Sequence, residues 1–173
     1  KLRDLQGAEA LASLLDGVMR ARDGLERRIP VFLKIAPDMD RTALTELCDV
    51  ARSAKLDAII ATNTTLRRDG LTSAHAAEAG GLSGAPLRDL AQQVLADVYR
   101  LTGGAIPLIG VGGIATGADA YARIRAGASA LQLYSALVYG GMGLIATILH
   151  DLEALLARDG FATVADAVGV DAA

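Results

Sequence analysis

Apolar residues follow two rhythms along this chain, short solid runs and longer stretches spaced at three and four, and the two alternate. Ahead of the first solid run, Ala8 to Arg22 places Leu11, Leu14, Leu15 and Val18 on one face of a predicted helix. Val31 to Ala36 is a short apolar run, interrupted by one lysine and stopped by Pro37. Asp40 then offers a cap to a segment in which Leu44, Leu47, Cys48 and Ala51 recur at helical spacing. Asp57 to Ala61 is the second predicted strand, and a long polar segment, Thr62 to Ala85, follows it. Loops of that length in compact domains are usually functional.

From Pro86 the helical period is the clearest in the chain, with Leu87, Leu90, Ala91, Val94, Leu95, Val98 and Leu101 on one stripe. Proline suits the first helical position, and Gly103-Gly104 supplies the stop. Ile106 to Gly110 is the third strand, and Thr116 caps a helix that runs through Arg125 to Gly127. Ala128 to Tyr134 reads as the fourth strand, Leu144 to Arg158 as a last long helix, and Thr163 to Val168 as a brief helical tail packed under the barrel. A helix followed by four strand-helix units implies an α/β fold with a parallel sheet and right-handed crossovers. Four such units are half of a (β/α)8 TIM barrel. No linker divides them, so residues 1–173 read as a single partial domain, and the start at Lys1, without Met, reads as a piece of a longer protein.

Composition narrows the chemistry. Aromatic residues make up 3% of the chain and tryptophan is absent, so the core must be aliphatic, as in a parallel sheet buried on both faces. A net charge of -3 with scattered arginines forms no basic stripe, which excludes a nucleic-acid partner. One cysteine builds neither a disulfide framework nor a zinc site and suits a reducing compartment. Neither a signal-like stretch nor a transmembrane segment appears, so the chain reads as soluble in type.

The candidate chemistry gathers where strands end. Lys34 lies two residues from the end of an apolar strand, where a buried cation needs an anion or an electron-rich ring; a lysine that snorkels out at the strand mouth is the plainer alternative. Thr62-Asn-Thr-Thr65 follows the second strand directly and reads either as hydrogen-bonding groups for a planar polar ligand or as a local Asx turn. Gly80-Gly-Leu-Ser-Gly84 is a flexible loop before a helix. Gly110-Val-Gly-Gly-Ile114 and Leu131-Gln-Leu-Tyr-Ser135 end neighbouring strands, and two such corners can grip one phosphate through main-chain N–H groups. Neither a Walker pattern nor a G-x-G-x-x-G fingerprint is present. Cys48 reads as a core residue; His75 and His150, without partners at metal-ligand spacing, read as surface residues, and no metal is expected. No obvious general base is found.

Val31-Phe-Leu-Lys-Ile-Ala-Pro37, Ala61-Thr-Asn-Thr-Thr65, Gly80-Gly-Leu-Ser-Gly84, Ile109-Gly-Val-Gly-Gly-Ile114 and Ala126 to Ser135 together resemble the C-terminal half of dihydroorotate dehydrogenase. That family comprises FMN-dependent barrel enzymes of pyrimidine (UMP) biosynthesis. Leu152-Glu-Ala-Leu-Leu156 and the segment from Asp159 to Gly169 resemble its class 2, quinone-using, membrane-associated branch. The resemblance implies FMN as cofactor, dihydroorotate and orotate as substrate and product, quinone as electron acceptor, and a peripheral place on a bacterial or mitochondrial inner membrane. It implies that Lys34 and Thr62 contact the flavin, that Asn63 and Thr64 hold the dihydroorotate ring, and that Gly84, Gly113, Tyr134 and Ser135 hold the phosphate tail, with Ser83 and Gly112 flanking.

The resemblance implies that the catalytic base, a serine in class 2 or a cysteine in class 1, falls upstream of Lys1. Lys1 to Gln6 resembles the tail of the motif after that loop, with lysine where the family has glycine. The chain alone is therefore expected to be inactive, to bind FMN weakly or not at all, and to self-associate or pair with an N-terminal half. A class 1 enzyme, another FMN barrel oxidoreductase and a noncatalytic phosphate-binding half-barrel remain the alternatives.

Overall fold

A computed structural model describes residues 7–172. Four strands, β1 (Phe32–Ile35), β2 (Ala58–Ala61), β3 (Leu108–Val111) and β4 (Ala128–Gln132), lie parallel in the order of the chain. Helices α1 (Ala8–Asp23), α2 (Arg41–Ser53), α3 (Arg88–Thr102), α4 (Gly117–Arg125), α5 (Ser135–Gly140), α6 (Gly143–Arg158) and α7 (Val164–Ala167) fill the rest. The strand register sets Lys34 beside Ile60 and Ile60 beside Ile109, while a shift after Leu108 sets Ile109 beside Ala130.

Side chains alternate across a strand, and here the helices cover one face. Ile35, Ile59 and Leu108 are fully buried in a cluster with Leu47, Cys48, Leu95 and Val98 from α2 and α3. The other face stays open: Phe32 is 47% exposed and Lys34 is exposed too. Burial on both faces, the arrangement expected from the aliphatic composition, is met in β2, where the successive residues Ala58 and Ile59 are both buried, but not in β1, whose Phe32 and Lys34 are exposed. Four strands are too few to curl into a closed barrel whose interior fills itself. The face of α1 is likewise half used, with Leu11 and Leu15 buried but Leu14 45% and Val18 38% exposed.

The helix ends follow local chemistry. Asp40 Oδ1 accepts from the N–H of Ala43 at 2.8 Å, and Gly103, in the left-handed region, ends α3. Thr116 caps α4 as its sequence predicts, with Asp119 returning the bond to complete a capping box. Such a cap contributes about 1 kcal/mol. The opening at Pro86 is a 3₁₀ turn, Ala85–Leu87, that leads into α3. β4 ends at Gln132, two residues before its expected limit, and the short α5 follows. A helix of six residues is too short for a periodic stripe to announce it.

The tail docks on α4 at the end of the sheet away from the strand mouths. Ala167 is buried with Tyr121, Ile124 and Leu152, and Gly169 N–H donates to the Ile124 carbonyl at 3.2 Å. Arg125 donates to both carboxylate oxygens of Asp171, at 2.7 and 2.6 Å, and its guanidinium lies 5.4 Å from the Tyr121 ring centroid.

Three carboxylates titrate below their ordinary value of 3.8. The Val31 N–H and then Arg28 hold Asp57 down, Arg125 holds Asp171 down, and Arg158 with Tyr121 brings Asp159 to about 2. A carboxylate depressed in the folded state stabilises it above its unfolded pKa and loses that contribution as pH falls through the folded one. The melting temperature is therefore expected to be level above about pH 5 and to drop between about pH 4 and pH 2. Asp159→Asn should flatten part of that drop; an unchanged acid limb would refute the assignment. All three side chains meet solvent, so each effect is modest.

Candidate functional site

A cavity of about 540 Å³ opens at the C-terminal ends of the strands. β1 contributes Lys34, the segment after β2 contributes Thr62, Asn63 and Thr64, and the loop before α3 contributes Ser83 and Gly84. Gly112 and Gly113 enter from the turn after β3, Gln132, Tyr134 and Ser135 from the end of β4, and Tyr139 and Leu144 close the far side. All the residues expected in the site from sequence thus line one space.

Three corners meet near the start of α3. Ser83 Oγ and Ser135 Oγ lie 2.9 Å apart, and a Cβ on Gly84 would lie 3.6 Å from Ser135 Cβ. The Gly84 carbonyl accepts from Leu87 N–H at 3.0 Å, tying that corner to the 3₁₀ turn. Gly113, at φ 73°, packs so closely on α3 that a Cβ would fall 2.5 Å from Arg88 Cα. Backbone this crowded admits only glycine, and its N–H groups lie near the positive end of a helix. Tyr134 is 79% exposed, so its side chain is largely in solvent rather than packed into this corner.

The end of β2 is spread between its neighbours. The Ala61–Thr62 peptide is cis; Thr62 N–H donates to the Val111 carbonyl at 3.0 Å and Asn63 N–H to the Ile35 carbonyl at 2.7 Å. Thr62 is buried, and its hydroxyl donates to the Asn63 carbonyl at 2.9 Å. Asn63 Oδ1 accepts from Thr64 N–H at 2.9 Å, so the local turn and the ligand-facing reading coexist: the oxygen serves the turn, and the NH2 group is what the side chain can offer a ligand. Thr64 leans on Gly81, where a Cβ would come 1.8 Å from its Oγ1.

The long loop is pinned rather than loose. Thr65 and Leu82 exchange main-chain hydrogen bonds at 3.1 and 2.8 Å. Thr65 donates its hydroxyl to Asp38, whose other oxygen accepts from Leu66 N–H at 2.9 Å. Arg68 donates to the carbonyls of Glu78 and Gly80 at 3.0 and 2.7 Å. Residue order does not single out Asp38, directly after Pro37, because its partners lie 27 and 28 residues away.

Two expectations need correction. Lys34 is exposed, not buried, because the sheet face that carries it is open, and it lines the cavity. His75 does have a carboxylate neighbour, Glu78 Oε1 at 2.8 Å, although both side chains are solvent-exposed and no metal-binding group forms among the described residues. His150 is exposed, and Cys48 is buried with its thiol pushed up to about 11 by desolvation, so it stays protonated at neutral pH. No carboxylate, histidine or cysteine lines the cavity among the described residues. Lys1 to Gln6 lie outside the described residues.

Sequence reasoning missed Arg123, the largest fully buried side chain described, which reaches the turn after β3. Its position on one helical face with Ala120, Ile124 and Gly127 was the available signal. Burial lowers its guanidinium to about 10.

Comparison with known proteins bears on this geometry. The dihydroorotate dehydrogenase family model matches residues 1–156. A dihydroorotate dehydrogenase (quinone) of Cereibacter sphaeroides is 59% identical over 169 residues, 98% of this chain and 48% of that protein. The mitochondrial dihydroorotate dehydrogenase (quinone) of Mus musculus is 48% identical over 98% of this chain and 44% of its own length. Among solved structures, the ligand-free enzyme of Eimeria tenella superposes with a TM-score of 0.95 at 37% identity, covering 98% of this chain and 52% of that one. The chain thus spans about half the length of the relatives it matches. Among the described residues, no helix is long and apolar enough to cross a membrane. Sequence, fold and the convergence of the motifs agree: this chain belongs to the dihydroorotate dehydrogenase family.

Proposed function

We propose that this chain supplies the flavin phosphate corner and part of the substrate floor of an FMN-dependent, quinone-reducing dihydroorotate dehydrogenase. The observation that carries this is the meeting of Gly84, Gly113 and Ser135 in one cavity with Lys34 and Asn63. The fit is chemical: Gly113, with no room for a Cβ, and Gly84, at a φ of 77° that favours glycine, leave main-chain N–H groups for a phosphate, and Ser135 adds a hydroxyl. Thr62 and Lys34 face the ring, where the lysine's charge favours an electron-rich flavin. Asn63, through its NH2 group, and Thr64, through its hydroxyl, hold the dihydroorotate ring.

Bound FMN would supply the acceptor for the hydride that leaves C6 of dihydroorotate. The proton on C5 needs a base, and the described lining of the cavity holds no carboxylate, histidine or cysteine, while its serines, Ser83 and Ser135, stand at the phosphate corner. The two halves thus divide the labour, with this one orienting cofactor and substrate. By the same relationship the whole enzyme sits at the surface of an inner membrane, where quinone is met.

Two experiments test the reading. The purified chain should show no dihydroorotate oxidation, whereas joining it to the N-terminal half of the Cereibacter sphaeroides relative should restore flavin absorbance and turnover. Turnover by the chain alone would overturn the division of labour, and failure of the joined protein to retain flavin would overturn the FMN assignment. In sizing experiments the isolated chain should run as a dimer or larger. β1 and β4 end the sheet with open edges, and on α5 and α6 Val138, Tyr139 and Leu149 are 71%, 92% and 59% exposed. A clean monomer would contradict this.

A further inference from the structure

Arg123 retains 1% of its surface exposure, yet it forms no ion pair among the described residues within salt-bridge reach. A guanidinium this deeply buried persists only where its donors are met. Nε donates to Gln92 Oε1 at 2.6 Å, Nη1 to the Val111 carbonyl at 3.3 Å, and Nη2 to the carbonyls of Gly112 and Arg88 at 2.9 and 3.1 Å. Gln92 is itself held, its Nε2 donating to the Ala122 carbonyl at 2.8 Å. Three of the four acceptors are main-chain carbonyls, and two of those are consecutive in the turn that lines the cavity.

That succession has a geometric consequence. In a planar trans peptide the C=O and the following N–H point in opposite directions. Drawing the Val111 and Gly112 carbonyls onto Arg123 therefore turns the N–H groups of Gly112 and Gly113 away from it. Gly112, whose backbone torsions set how these two peptides turn against each other, has a φ of 112° that favours glycine, so the two N–H groups can face one anion together. The Arg88 carbonyl, on the same nitrogen, locks the start of α3 to this turn.

We infer that Arg123 is the positioning residue of the phosphate corner: from behind, it aims the Gly112 and Gly113 N–H groups at the phosphomonoester of the flavin, which it never touches. The inference rests on the FMN reading above. It also separates Arg123 from a plain packing residue, because its effect should depend on the ligand's phosphate.

Riboflavin, which lacks the phosphate, supplies the discriminating probe. With the full chain joined to the N-terminal half of the Cereibacter sphaeroides relative, Arg123→Met should weaken FMN binding by about tenfold or more, since several charge-assisted bonds are lost. Riboflavin affinity should stay within about twofold, because no contact to the ring changes. Arg123→Lys, with a charge and three donors, should recover most of the FMN affinity. Amide exchange at Gly112 and Gly113 should quicken in Arg123→Met and stay unchanged at Ile59. Should Arg123→Met fail to fold, Gln92→Leu, which frees Nε alone, should show the same FMN-selective loss at smaller size.

Equal weakening of FMN and riboflavin, or unchanged FMN affinity, would overturn the inference. If the unsubstituted protein bound neither flavin, the FMN reading would fall. The exchange rates would then decide on Arg123 by themselves, and unaltered exchange at Gly112 and Gly113 would sink it.

Discussion

Gly113→Ala is expected to abolish FMN retention in the joined protein and to destabilise the fold by about 3 kcal/mol. Two costs combine. At φ 73° an alanine pays for a left-handed backbone, roughly 1–2 kcal/mol. Its Cβ would also stand 2.5 Å from Arg88 Cα and 2.7 Å from Arg88 N, and main chain at the start of a helix cannot rotate aside as a side-chain tip can. The turn and α3 must separate, which pulls apart the corners proposed to hold the phosphate. Gly70→Ala is the control: it has the same φ of 73° but nothing within 4 Å of its Cβ, so it should show the backbone cost alone. Thermal melts and flavin titration of both variants check this. Equal losses in the two would mean that the Arg88 contact is unimportant.

Gly81→Ala should instead damage substrate binding while sparing the flavin. An alanine Cβ would lie 1.8 Å from Thr64 Oγ1 and 2.6 Å from Thr64 Cβ, so Thr64 must turn or its segment must move. Gly81 is not among the glycines with positive φ, so the cost falls on Thr64 and not on the backbone of residue 81. In the joined protein the KM for dihydroorotate should rise by about tenfold or more, with FMN affinity within about twofold, because Thr64, proposed to hold the substrate ring, is displaced and the proposed phosphate corner is not. In a Thr64→Ala background the same substitution should cost less, since the nearest atom of the clash is gone; this is the coupling a double-mutant cycle reads. Strict additivity of the two changes would remove Thr64 from the explanation.

Much of the architecture was legible in residue order because its causes act over a few residues. The stripe from Leu87 to Val98, the Asp40 and Thr116 caps and the Gly103 stop each depend on neighbours within about one or two helical turns. The site was legible where glycine or short polar residues sit at a strand end: Gly84, Gly113, Asn63 and Ser135 were recognisable as corners before their meeting was seen. Leu101 shows the limit of the pattern, since it shares the stripe of α3 but is only half-buried at the helix end. The short α5 shows another limit, because one and a half turns leave no period to detect.

By itself the amino-acid order determined the alternation of strand and helix, the ends of the helices and the places where backbone could approach an anion. Those properties come from spacing, capping and the absence of a Cβ, all local. Only the tertiary structure decided which sheet face stays open, and so that Lys34 stands exposed at the cavity. It alone joined Asp38 to Thr65 and set Arg123 against carbonyls at positions 88, 111 and 112. The reason is that a buried donor must find its acceptors in three dimensions, and nothing in the spacing of residues along a chain says which distant carbonyls will be within reach.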